Sequence, residues 1–175
     1  DVLCLSGGVP LTLPIVADAV KRGIPLSNDS QIFMEVVPCK TIGITGSAGK
    51  TPTTTLVGRM AQTAVEHKLG PHPKAWVGGN IGTPLVDQLE QIKAEDLVIL
   101  ELSSFQLELM TTSPHLAAVL NITPNHLDRH ESMATYTAAK QRILDFQSGH
   151  DTAVLNREDL GSFGLRASVK GSLVT

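Results

Sequence analysis

Short apolar runs alternate along this chain with stretches in which apolar residues recur every three or four positions. The runs at 2–5, 24–27, 41–45, 75–78, 96–102, 116–122 and 152–156 predict strands, and the helical spacing at 14–22, 31–36, 51–66, 83–92 and 133–147 predicts helices between them. Such alternation predicts an α/β fold, a mainly parallel sheet with flanking helices. Strands of a parallel sheet are covered on both faces, so they read as unbroken branched aliphatic runs, as Leu97-Val98-Ile99-Leu100 does. In the helix from Thr51, the spacing of Leu56, Val57, Met60, Ala61 and Ala64 predicts one inward face. Pro52 fits its first turn, where the missing N–H is not needed. The Gly- and Ser-rich stretch 157–171 predicts mostly loop, and Ser172-Leu173-Val174-Thr175 is again strand-like.

A length of 175 residues accommodates one domain, or one domain and part of another. A boundary is predicted near Val37-Pro38-Cys39-Lys40, dividing the chain into 1–38 and 39–175. The chain opens at Asp1 directly before one strand-like run and closes on another, which predicts a piece of a longer protein. The 42% apolar content is enough for a buried core, and a net charge of −3 argues against a general nucleic-acid or anionic-membrane surface. Aromatic residues are only 3%, too few for a base-stacking platform. No apolar run approaches the roughly 20 residues needed to span a bilayer. No signal peptide is visible, and the expectation is a cytoplasmic monomer. Cys4 and Cys39 have no metal-site spacing and read as small buried hydrophobes in a reducing compartment.

The chemistry begins at Thr41-Ile42-Gly43-Ile44-Thr45-Gly46-Ser47-Ala48-Gly49-Lys50-Thr51. An apolar strand runs into a small-residue loop, and a lysine and a threonine open a helix. Glycines let backbone N–H groups approach phosphates, and a helix start adds partial positive charge. The segment therefore predicts binding of a nucleoside triphosphate, with Lys50 reaching the β- and γ-phosphates and Thr51 ligating Mg²⁺. The general phosphate-loop pattern has a further glycine where this chain has Ile44.

Further polar groups interrupt strand ends. Glu101 closes the run 97–100, where carboxylates of open α/β sheets act, and is predicted to hold the metal of a nucleotide bound at Lys50 and Thr51. Glu108 reads as surface. Leu120-Asn121-Ile122-Thr123-Pro124-Asn125-His126-Leu127-Asp128-Arg129-His130 is a strand ending in a polar turn. His126 and His130 are four apart, a spacing that one helix face can use for zinc, but no third ligand follows and His130 reads as surface. Lys140 shares an apolar stripe with Tyr136, Ala139, Ile143 and Leu144. Either its ammonium snorkels to water or it turns into a site. Asn80, in Val77-Gly78-Gly79-Asn80-Ile81-Gly82, is either a ligand to a substrate oxygen or a turn residue.

Together, Gly46–Thr51, Gly78–Gly82, Glu101-Leu102-Ser103-Ser104-Phe105-Gln106-Leu107-Glu108, Leu120–Thr123 with His126–Arg129, and Tyr136 with Ala138-Ala139-Lys140 resemble the Mur ligases in order and spacing over roughly residues 1–160. The resemblance implies a three-domain, ATP-dependent amide ligase of peptidoglycan synthesis. It is nearest to the members that join D-glutamate to UDP-N-acetylmuramoyl-L-alanine. It implies that 1–38 is the end of a Rossmann-like UDP-substrate domain, that 39–175 is the first part of a P-loop-type ATP-binding domain, and that an amino-acid-binding domain lies outside the sequence. By resemblance, Gly46, Ser47, Ala48, Gly49, Lys50 and Thr51 cradle ATP. Thr51 and Glu101 hold one Mg²⁺, while His126 and a carbamylated Lys140 hold a second. Lys50, His126 and Lys140 are the implied catalytic residues, and Ser6, Gly8, Asn80 and Ser103 the implied substrate contacts.

Three positions depart from the family pattern. Ala48 stands where asparagine is usual, Pro52 where a hydroxyl residue is usual, and Asn125 where an acid often precedes the histidine. A folylpolyglutamate synthetase-like ligase shares the loop and the modified lysine, but Ser103-Ser104-Phe105-Gln106 argues against it. A non-catalytic P-loop module would leave Lys140 without a role, and a GTPase-type switch would need an Asn-Lys-x-Asp that is absent. A dinucleotide-dependent oxidoreductase would need a Gly-x-Gly-x-x-Gly that is also absent.

Overall fold

Two parallel sheets carry the fold in this computed structural model, which describes residues 1–82, 84–125 and 127–175, with the backbone alone at 127 and 128. A small two-stranded sheet pairs β1 (Leu3–Cys4) with β2 (Leu26–Ser27) around helix α1 (Pro14–Lys21). Helix α2 (Asp29–Val36) then leads into the main sheet. Its strands are β3 (Lys40–Thr45), β4 (Ala75–Gly79), β5 (Leu97–Glu101), β6 (Leu116–Val119), β7 (Thr152–Leu155) and β8 (Ser172–Val174). They lie in the order β4-β5-β3-β6-β7-β8, and every pair is parallel. The connections carry α3 (Lys50–Glu66), α4 (Ser104–Leu107), α5 (Leu127–His130), α6 (Met133–Asp145) and α7 (Leu160–Gly164). Because β3 sits between β5 and β6, the loops leaving β3, β4, β5 and β6 gather at one rim, where open α/β sheets bind ligands.

The central strands are covered on both faces, and Val98, Ile99 and Leu100 are all buried, as their continuous apolar run requires. On one face Val98 and Leu100 join Tyr136, Ile143 and Leu144 of α6 in the larger core cluster, and on the other Ile99 joins Ile44 and Ala118. Buried amides tie α2 to the rest. Asn28 caps α2 by accepting from Gln31 N and donates from Nδ2 to Gln106 O at 2.8 Å. Gln106 Nε2 donates to Ser30 Oγ at 2.7 Å, and Gln31 Oε1 accepts from Thr111 N at 2.7 Å.

Several expectations are corrected. Leu56 and Met60 of α3 are 59% and 63% exposed, and the inward line runs instead through Thr54, Val57, Gly58 and Ala61. The reason is close approach: a Cβ on Gly58 would lie 2.6 Å from Val77 Cγ2, so the helix descends onto β4 along its smallest residues. Of the stretch expected to be helical at 83–92, residue 83 lies outside the described residues and Leu85–Gln91 forms a 3₁₀ helix. Residues 157–171 are not mostly loop, because Asp159 caps α7 by accepting from Ser162 N, and a further 3₁₀ turn spans Leu165–Ser168. Cys39 is buried as expected, but Cys4 is exposed.

The Thr54 hydroxyl is buried with no hydrogen-bond partner, the one such side-chain group among the described residues. Thr54→Val keeps the shape and removes that unsatisfied oxygen. It is expected to stabilise the chain by about 1 kcal/mol, read as a higher urea midpoint at unchanged slope.

Candidate functional site

At the end of β3 the chain turns through Gly46–Gly49, and Gly49 precedes α3 with φ +81°, a left-handed conformation that suits glycine. Lys50, the first residue of α3, folds back over its own loop, and its Nζ donates to Gly46 O at 2.9 Å and Ser47 O at 3.4 Å. The loop is stitched to the segment leaving β6. Ser47 N donates to Asn121 O, Ser47 Oγ donates to Thr123 O at 2.9 Å, and Tyr136 OH donates to Ser47 Oγ at 3.0 Å. Burial holds the Tyr136 phenol above its ordinary range, so it remains a donor.

Glu101 ends β5 only 1% exposed. Its Oε2 accepts from Thr51 Oγ1 at 2.8 Å and its Oε1 from Asn80 Nδ2 at 2.9 Å, while Asn80 N donates to Glu101 O at 2.8 Å. Gly79 makes this convergence possible: its φ is +92°, and a Cβ there would stand 2.2 Å from Glu101 O. Asn80 is therefore both a turn residue and a partner of the carboxylate. Thr51, Asn80 and Glu101, from three elements, meet at one point. The carboxylate is held by neutral donors, and among the described residues no salt bridge neutralises it. A buried, oriented, unneutralised carboxylate beside a hydroxyl is an oxygen donor set suited to Mg²⁺.

Lys140 lies on the inward side of α6 and is 1% exposed, so its head does not snorkel to water. Its Nζ donates to Gly46 O at 3.0 Å and approaches Thr45 Oγ1 at 3.4 Å. Lys50 and Lys140 thus converge on one carbonyl oxygen, that of Gly46. Burial, and secondly the charge of Lys50, bring the Lys140 ammonium down to about 7. An amine that titrates near neutrality, with no counter-ion among the described residues, is poised for chemistry or for an anion.

The other predicted residues fall around these. Ser103 caps α4, with Gln106 Oε1 accepting from both its N–H and its hydroxyl. Ser6 and Gly8 form a turn in which Val9 N donates to Ser6 O, Gly8 has φ +86°, and a Cβ on Gly8 would be 4.0 Å from Arg129 Nη2. Between this turn and α4–α5 lies a cavity of about 460 Å³ lined by Val9, Thr12, Phe105, Arg129, His130 and Thr135. His126 lies outside the described residues. Among the described residues no three His, Cys, Asp or Glu side chains form a metal-binding group.

His130, expected at the surface, is 4% exposed. Its Nε2 is 2.9 Å from Ser104 Oγ and its ring stacks on Phe105 at 4.9 Å. Glu108 is exposed as expected. The sequence reading gave no role to Asn121, nor any partner to Tyr136 beyond its helix face. The signal for Asn121 was its position directly after an apolar run.

A family model described as "Mur ligase middle domain" matches residues 44–173. A UDP-N-acetylmuramoylalanine--D-glutamate ligase of Symbiobacterium thermophilum is 45% identical over 91% of this chain and 33% of its own length. One of the same name from Clostridium botulinum (strain Alaska E43 / Type E3) is 44% identical over 99% of this chain and 36% of its own. The chain thus spans about a third of the length of these relatives. Among solved structures, UDP-N-acetylmuramate:L-alanyl-gamma-D-glutamyl-meso-diaminopimelate ligase from Neisseria meningitides superposes with a TM-score of 0.61 at 15% identity, over 99% of this chain and 57% of that one, which is a likeness of fold. On the family model and the parallel sheet together, this chain belongs to the Mur ligases and carries their middle domain.

Proposed function

We propose that this chain is the ATP-binding part, with the end of a UDP-substrate domain, of a cytoplasmic, monomeric ligase that joins D-glutamate to UDP-N-acetylmuramoyl-L-alanine. The observation that carries this reading is the identity of 45% and 44%, over nearly the whole chain, to ligases named for that reaction. The boundary is set near residue 38, where α2 gives way to β3. The incoming amino acid is assigned to a domain beyond this sequence.

In the reaction, a carboxylate oxygen of the muramoyl-alanine attacks the γ-phosphorus of ATP, giving an acyl phosphate and ADP. The amine of D-glutamate then attacks the acyl carbon, an amide bond forms, and phosphate leaves. Gly46–Gly49 and the start of α3 cradle the phosphates, and Lys50 exchanges its internal carbonyl partners for phosphate oxygens. Thr51 and Glu101 are assigned to one Mg²⁺, and His126 with Lys140 to a second. Bound there, the metal ions neutralise charge on the phosphates. Asn80 fixes the rotamer of Glu101, and with Ser103, Ser6 and Gly8 it is assigned to the substrate side.

For Lys140 to serve a cation, its charge must be reversed. The free amine adds to CO₂ and releases a proton, giving a carbamate whose oxygens suit Mg²⁺. The lowered proton affinity of the Lys140 amine supports that step, because it leaves more of the free amine that adds to CO₂.

The test is production of ADP and the UDP-muramoyl dipeptide from ATP, D-glutamate and UDP-N-acetylmuramoyl-L-alanine. A protein of the relatives' full length that contains this sequence is expected to make both. The 175-residue chain is expected to make neither, because holding both reactants together supplies much of the rate. Dipeptide formed by the short chain alone overturns the division of labour, and failure of the full-length protein overturns the reaction assignment.

A further inference from the structure

The phosphate loop contains a hydrogen-bond pattern that none of the assigned roles uses. Ala48 has no side chain able to anchor it, yet both ends of its residue are held. Its N–H donates to Asn121 Oδ1 at 2.9 Å, and its carbonyl accepts from Asn121 Nδ2 at 3.0 Å. The preceding N–H, of Ser47, donates to the backbone oxygen of the same asparagine at 2.9 Å. One residue therefore grips two consecutive residues of the loop with three hydrogen bonds.

The grip decides which donors face the nucleotide. The N–H groups of Ser47 and Ala48 point toward the β6 side and are spent on Asn121. The first N–H groups of a helix have no intrahelical acceptor. Those of Lys50 and Thr51, with that of Gly49, are the backbone donors assigned to phosphate, and the Lys50 ammonium joins them once it gives up Gly46 O and Ser47 O. The loop is also pressed on the Asn121 side: a Cβ on Gly46 would lie 3.1 Å from Leu120 Cβ and 3.5 Å from Asn121 N. Leu120 N donates to Thr45 O, so the grip continues the β3–β6 pairing past the last strand residue.

We propose that Asn121 is a positioning residue for nucleotide binding: by clamping both polar ends of Ala48 it fixes the phosphate loop in its binding shape without touching the nucleotide. This rests on the reading of residues 46–51 as a phosphate loop. It also gives an account of Ala48. With Asn121 holding the peptide from outside, the loop needs no polar side chain of its own at that position.

The experiment measures two quantities in this chain: the Kd for Mg-ATP, and hydrogen exchange at the Ala48 amide without nucleotide. Asn121→Leu keeps the bulk and removes both side-chain hydrogen bonds. It is expected to raise the Kd about tenfold. The Ala48 amide is expected to exchange faster, and the urea midpoint to stay close to that of the parent chain. Asn121→Ser, polar but too short to span both atoms, is expected to shift both readouts in the same direction and keeps the test open if the leucine variant misfolds. An unchanged Kd and an unchanged Ala48 exchange rate in a folded variant overturn the clamp. Absence of ATP binding by the parent chain overturns the phosphate-loop reading instead, and the clamp falls with it.

Discussion

Lys50→Ala is expected to weaken ATP binding to this chain by about 30- to 150-fold and to abolish ligation in a full-length protein that contains it. The ammonium sits at the start of α3, directly over the loop, with two backbone carbonyls as its partners among the described residues. Loss of one charge-assisted contact costs about 2–3 kcal/mol in binding, and more where negative charge moves during phosphoryl transfer. Calorimetry on the short chain and coupled ADP release in the full-length protein separate the two effects. Near-normal affinity would place the phosphates elsewhere.

Lys140 carries the second large expectation, in two parts. In the chain as it stands, Lys140→Met should increase stability by about 2–4 kcal/mol at or below neutral pH, because it removes a buried cation that has no counter-ion among the described residues and feels the charge of Lys50. The sign follows from proton counting. The folded state releases the Lys140 proton near pH 7 and the unfolded chain only near 10.5. Between those values the unfolded state holds more protons, so the parent chain gains stability as pH rises and the advantage of methionine shrinks. Urea titrations in mildly acidic and in alkaline buffer test this, and a methionine variant less stable than the parent in acid would refute it.

In a full-length protein the same position should behave in the opposite way. Lys140→Ala is expected to be nearly inactive, and millimolar short carboxylic acids should restore part of the activity by supplying the missing oxygens. Full activity without added acid would rule out the carbamate.

The sequence made much of this legible because parallel strands need two covered faces. The runs that became β3, β5, β6 and β7 stood out for that reason, and so did Glu101, an acid closing one of them and buried in the structure. Lys140 was legible as a lysine on an apolar stripe. What stayed hidden depended on partners far away in the chain. Leu56 and Met60 look inward until Gly58 is seen against Val77. Asp159 looks like a loop residue until it is found holding both Ser162 N and Ile122 N. His130 looks exposed until Ser104, 26 residues earlier, comes to meet it. The Asn121 amide looks like a turn until its 73-residue reach to Ala48 is known.

The single direction of all six strands also divides the molecule into two hemispheres with different freedom to change. The phosphate loop, Asn80, Glu101 and Asn121 follow the carboxyl ends of β3, β4, β5 and β6, so a substitution on that rim alters chemistry before it alters folding. The opposite rim, made of the turns entering each strand, includes the connection from Lys68 to Lys74, where Leu69 is 76% exposed. A label, an affinity handle or an inserted reporter belongs at that connection, the sheet's full depth from the chemistry.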